Sequence, residues 1–122
     1  MLKKIRLELA RDHDYPEGSR AYGYEFAAPL DDKGHIDADQ WHKLREKCRV
    51  RRFRPGEEDD VGHVIRKPGG AWAFHYDVRS DEEDDESGYR FGAHKFAPGE
   101  YVSIADERGE LHTFRVMSVQ PA

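Results

Sequence analysis

Alternation of apolar and polar side chains with a period of two constrains this chain more than any other feature, because successive residues of a strand point to opposite faces. In "KKIRLEL", Ile5, Leu7 and Leu9 fall on one face and Lys4, Arg6 and Glu8 on the other. In "AYGYEF", Tyr22, Tyr24 and Phe26 share a face. In "AWAFHYDV", Trp72, Phe74 and Tyr76 do the same, leaving Ala73, His75 and Asp77 opposite. The last such pattern is a hairpin, with Val102 and Ile104 on one arm and Phe114 and Val116 on the other as its inward residues. Between its arms Asp106 and Gly109 begin and end a four-residue type I turn, and Gly109 suits a G1 bulge. Pro16 and Gly18 mark an earlier turn, and Pro68 with Gly69 fits the centre of a type II turn.

One helix interrupts the strands. In "GHIDADQWHKLREKC", Asp37 suits the N-cap, Gln40 occupies the position three residues on, and Ile36 with Trp41 matches a hydrophobic staple. Trp41, Leu44 and Cys48 form a narrow apolar stripe, so a helix from about residue 37 to 49 is expected to dock on the sheet. The segments "RVRRF", "VGHVIRK" and "YRFGAHKF" complete the extended set. About seven short strands and one helix, without a βαβ repeat, predict an α+β domain with a curled antiparallel sheet or a small β-barrel. The closing hairpin resembles the last two strands of many small barrels, SH3-like ones among them, a likeness that implies no function.

A single domain over residues 1–122 follows from the length. Leu, Ile, Val and Phe make up only 23 of the 122 residues, a level at which disorder competes with folding when net charge is large. The formal charge is only −5, and Tyr, Phe and Trp add large buried areas, so a folded domain with an aromatic core is expected. "SDEEDDESG" has nothing to pack, and an acidic flexible loop is expected over residues 79–88. The lone Cys48 excludes an internal disulfide framework and fits a reducing, cytoplasmic setting. No apolar run reaches the 18 or so residues of a membrane span, so no membrane partner is expected.

Charge is distributed unevenly. Residues 43–54 carry seven Lys and Arg against Glu46 alone, a local +6 that leaves −11 for the remainder. Such asymmetry points to a polyanion partner or to the chain's own acids. On a helix the bases fill the whole exposed arc, and in the extended part Arg49 and Arg51 point one way while Arg52 and Arg54 point the other. Val50 and Phe53 fall on opposite faces of a regular strand, which suggests a bulge or an edge position there. A phosphate-tracking strip gathers its charges on one side, and this one scatters them unless the arginines converge with Trp72 or Tyr89. The polyanion candidates are Arg49, Arg51, Arg52 and Arg54.

Seven histidines raise a transition-metal reading. His75 and Asp77 lie two apart on one strand face, and His94 belongs to a segment able to lie beside it, giving two imidazoles and a carboxylate. The spacing matches no zinc motif, and the acidic runs at 57–60 and 81–86 lack the spaced ligands of a calcium loop. Lys47 and Arg49 flank Cys48, but its place on the apolar stripe suits packing better than nucleophilic chemistry. No serine sits in a nucleophile elbow, and no glycine-rich phosphate loop occurs. The sequence therefore favours a small non-catalytic binding or interaction domain, with a protein among its candidate partners, then RNA or single-stranded DNA binding through residues 43–54, and third a metal-dependent enzyme at His75, Asp77 and His94.

Overall fold

The structure is a computed structural model that describes residues 1–77, 85–89, 91–106 and 108–122. Its described strands are β1 (Leu2–Leu9), β2 (Ser19–Pro29), β3 (Arg49–Phe53), β4 (Asp60–Arg66), β5 (Trp72–Tyr76), β6 (Glu86–Tyr89), β7 (Tyr101–Ala105) and β8 (Leu111–Pro121). Each pairs antiparallel with the next, and β8 returns to β1, so the sheet closes into an up-and-down barrel. Closure satisfies both edges of the sheet, which an open sheet with this many aromatic inward residues would leave exposed. The small α+β barrel expected from the alternation is present, with eight strands rather than seven.

The extra strand lies where a loop was expected. Glu86, Ser87 and Gly88 belong to β6, which pairs Phe74↔Glu86 with β5 and Gly88↔Ile104 with β7. Residues 79–84 of the acidic run lie outside the described residues. Beyond β6, the segment read as extended from Tyr89 onward turns at once, with the Phe91 N–H bonded to the Gly88 carbonyl at 3.4 Å. The Phe91 ring covers Gly88 so closely that a Cβ there would lie 2.4 Å from the ring.

Helix α1 (Ala38–Leu44) begins as the sequence indicates, with the Asp37 carboxylate accepting the N–H groups of Asp39 and Gln40 at 3.1 and 3.2 Å. It is shorter than expected. A 3₁₀ turn (Arg45–Lys47) tightens its end, and Cys48 leaves the helix to accept the Val64 N–H at 2.8 Å. Joining β4 outweighs another turn of helix, because that backbone carbonyl is buried and must be paired. Trp41 and Leu44 still pack against the core, and the Trp41 indole donates to the Val64 carbonyl at 3.0 Å.

β3 is regular and carries no bulge. Val50 faces Phe26 and Arg52 faces Tyr24 across the β2–β3 ladder, so Val50 and Arg52 both point into the barrel. Phe53 points outward and is covered by the Arg6 and Arg51 guanidiniums, 4.5 and 5.0 Å above its ring. Cation–π cover of this kind lets an aromatic sit on the outer face without meeting water.

The interior has two zones. Toward the end that carries α1, Phe26, Phe74, Phe91 and Phe96 pack with ring centroids 5.3 to 6.3 Å apart. Toward the other end the inward positions are Tyr24, Arg52, Tyr76 and Glu86, all buried.

Candidate functional site

An eight-stranded barrel is just wide enough to be filled by its own side chains or to hold one small ligand. Here charged and phenolic groups occupy the polar zone. Glu86 accepts from Tyr24 and Tyr76 through Oε1 at 3.0 and 2.5 Å, and from Arg52 and Arg54 through Oε2 at 2.8 and 3.2 Å. Arg52 also bonds Asp60, and its guanidinium lies 4.8 Å from the Tyr76 ring centre. Burial works against the Arg52 charge, but Glu86, the two phenols and Asp60 together more than offset this and hold the guanidinium protonated. Burial, and then the Glu86 charge, push both phenols well above their ordinary value. This network closes the barrel's middle with side chains rather than leaving a ligand chamber.

The four arginines expected to meet a polyanion are thus taken apart. Arg52 and Arg54 enter the polar zone, Arg51 bonds Glu25 and Asp59 at 2.7 and 2.8 Å, and Arg49 bonds Asp77 at 3.1 Å. All four meet the chain's own acids. Sequence reasoning grouped Arg52 with Arg54 correctly but missed that their face is the inner one. Val50 carried that signal, since an inward Val50 in a regular strand brings Arg52 and Arg54 inward with it.

The structure does not gather His75, Asp77 and His94. The imidazole of His75 reaches Asp85, Asp77 pairs with Arg49 and lies 3.5 Å from His63, and His94 sits in the turn after Phe91. β4 rather than the His94 segment supplies the neighbour, and His63 lies directly opposite His75 in the ladder. Among the described residues one other group, Asp106, Glu110 and His112, brings three ligand atoms within 4.8 Å of one another. Both ring nitrogens of His112 already face carboxylates, Asp12 at 2.6 Å and Asp106 at 3.1 Å, so a metal there would first have to displace one of them. Cys48 is buried, and burial pushes its thiol up to about 11, which suits an inert packing residue.

The bases that find no acid partner among the described residues lie elsewhere. Lys43, Arg45 and Lys47 are exposed on α1 and its 3₁₀ turn. Arg66, at the end of β4, rests 5.5 Å from the Trp72 ring centre. A groove of about 430 Å³ separates the helical segment from the outer face of β4 and β5, lined by Trp41, Arg45, Ile65, Arg66, His63 and His75 among others. A second outer groove, of about 380 Å³, runs beside Lys4, Arg51 and Val61, but Glu25 and Asp59 neutralise its bases.

No family model, curated protein or solved structure matches the chain. The exposed acids Glu57, Glu58 and Asp59 lie in the β3–β4 turn at the barrel end opposite α1. No helix among the described residues is long and apolar enough to cross a membrane.

Within the groove, His75 is held most firmly. Its Nδ1 lies 2.6 Å from Oδ1 of Asp85, whose side chain is 2% exposed. Among the described residues Oδ2 of Asp85 accepts no hydrogen bond, and the Lys67 ammonium lies 3.5 Å from it. A carboxylate accepts only, so Nδ1 carries the proton and Nε2 is left as the free nitrogen.

Proposed function

We propose that the chain is a small binding module that holds a single-stranded nucleic acid in the groove between α1 and the outer face of β4 and β5. One observation carries this reading: Arg45 and Arg66 line the same groove as Trp41, Lys43 and Lys47 flank Arg45 on the exposed side of the helical segment, and none of the four has an acid partner among the described residues. A flexible polyanion with planar bases uses both kinds of group, phosphates on the cations and a base against an aromatic face. The filled interior supports an external site. Within the basic 43–54 segment the binding part narrows to residues 43–47, joined by Arg66, because the later arginines are committed to Glu25, Asp59, Asp77 and Glu86.

Titration of the protein with an RNA of about ten nucleotides, followed by tryptophan fluorescence, tests the reading. Four phosphate contacts predict a slope of log K against log salt of about −3, at roughly 0.7 per contact on a single strand. The triple variant K43E/R45E/K47E loses binding, whereas R51Q retains it. A salt-independent affinity, or equal binding by the triple variant, rejects nucleic acid at this groove. Tighter binding of an acidic peptide than of the RNA replaces it with a protein partner.

A further inference from the structure

The nucleic-acid reading uses the cations and Trp41 and leaves the two imidazoles of the groove without a role. His63 and His75 are direct cross-strand partners on the outer face. Side chains so placed have Cβ atoms about 5 Å apart, close enough for both rings to address one phosphodiester. Each ring has a carboxylate on the side of its Nδ1, Asp85 at 2.6 Å for His75 and Asp77 at 3.5 Å for His63. Asp85 is the more telling of the two. It is nearly solvent-free, and it spends one oxygen on fixing the tautomer of a half-exposed histidine. That arrangement orients an imidazole whose outer nitrogen is to take a proton. Arg45 and Arg66 line the groove with Glu46 at its rim, and Arg49 adjoins His63, so a phosphate entering it meets cationic partners.

Resting on the binding reading above, we infer that the groove cleaves single-stranded RNA without a metal, with His75 and His63 as its catalytic residues. His75 Nε2 accepts the proton of a ribose 2′-hydroxyl while that oxygen bonds to the adjacent phosphorus. The bond from phosphorus to the 5′-oxygen of the next nucleotide breaks, and protonated His63 delivers its proton to that oxygen. The products are a 2′,3′-cyclic phosphate and a free 5′-hydroxyl. His75 ends protonated and His63 neutral, and water attack on the cyclic phosphate in the reverse sense restores both. Arg45 and Arg66 face the charge that builds on the phosphoryl oxygens. In the ligand-free chain Arg49 Nη1 lies 3.1 Å from His63 Nε2 while its Nη2 bonds Asp77, so substrate entry has to draw the guanidinium toward Asp77 alone. Asp85 is a positioning residue.

The test compares an RNA oligonucleotide with its 2′-O-methyl counterpart in the presence of EDTA. The RNA is cut to cyclic-phosphate ends, and the 2′-O-methyl strand binds equally and stays intact. H75A and H63A, both at half-buried surface positions, lose about 10²–10⁴-fold in cleavage rate at saturating RNA. D85N lowers kcat more than KM and displaces the pH–rate profile, which a merely structural role for Asp85 would not do. Binding of both strands without cleavage overturns the catalytic inference and leaves the binding reading standing. Absence of binding to either removes both. Cleavage that persists undiminished in H75A, purified in parallel, assigns the activity to a contaminant and likewise overturns the inference.

Discussion

Arg52 and Glu86 form an ion pair at 2.8 Å inside the barrel, with side-chain exposures of 1% and 0%. Their desolvation is offset by geometry: Glu86 accepts from four donors, and Arg52 reaches a second carboxylate on Asp60. Removing one partner strands the other charge in the core. Glu86→Ala is expected to cost about 3–5 kcal/mol by chemical denaturation, and R52M/E86A less than the sum of its single variants. Strict additivity of the two losses would show that the residues do not act as a pair.

Tyr24 and Tyr76 both donate to Glu86, and burial followed by the Glu86 charge raises both phenols well above 10. Unfolded tyrosines release their protons near 10 while the folded pair holds its own. Stability is therefore full below about pH 10 and falls as pH rises toward the folded values. Spectrophotometric titration with circular dichroism should find these two phenols ionising only as the barrel unfolds. All six tyrosines titrating together near pH 10 in a folded protein would contradict the buried network.

His112, near the start of β8, ties the β1–β2 loop to the β7–β8 turn through Asp12 and Asp106. Partial burial lowers its pKa, but the two carboxylates outweigh this and raise it above 6.5. Asp12 is lowered from 3.8, chiefly by its bond to His112, and Asp106 is lowered too, because its bonds to His112 and to the Glu110 and Arg108 N–H groups together outweigh its desolvation. The His112 contribution is fully present below pH 6.5 and is lost as pH rises through the folded value; the two aspartates contribute above 3.8 and fail as pH falls through theirs. The melting temperature should thus drop between mildly acidic and mildly alkaline pH. H112Q should flatten that drop, and an unchanged slope in H112Q would place its origin elsewhere.

Gly88 lies under the Phe91 ring, with the site of a Cβ 2.4 Å from it. The ring is enclosed by Phe26, Phe74 and Phe96 and has no room to retreat. Gly88→Ala should destabilise by about 1–3 kcal/mol or more, as overpacked cores do. Pairing it with Phe91→Leu should recover part of the loss, and no recovery would argue that backbone freedom rather than the ring demands glycine.

Sequence by itself determined the local geometry: the alternation of β1, β2, β5, β7 and β8, the Asp37 cap, and the turns at Pro68–Gly69 and Asp106–Gly109. These depend on side-chain periodicity and backbone preference within a few residues, and both are written locally. Only the tertiary structure decided which charges lie inside. Glu86 reads as the end of an acidic loop until β5 and β7 enclose it, and Arg52 reads as surface until Tyr24 stands opposite. The candidate site follows the same division. Lys43, Arg45 and Lys47 were visible as a basic run, whereas the pairing of His63 with His75, and of His75 with Asp85, depends on the register of β4, β5 and β6. Register is settled by closing the barrel over a common interior, a global condition that no short stretch of sequence contains.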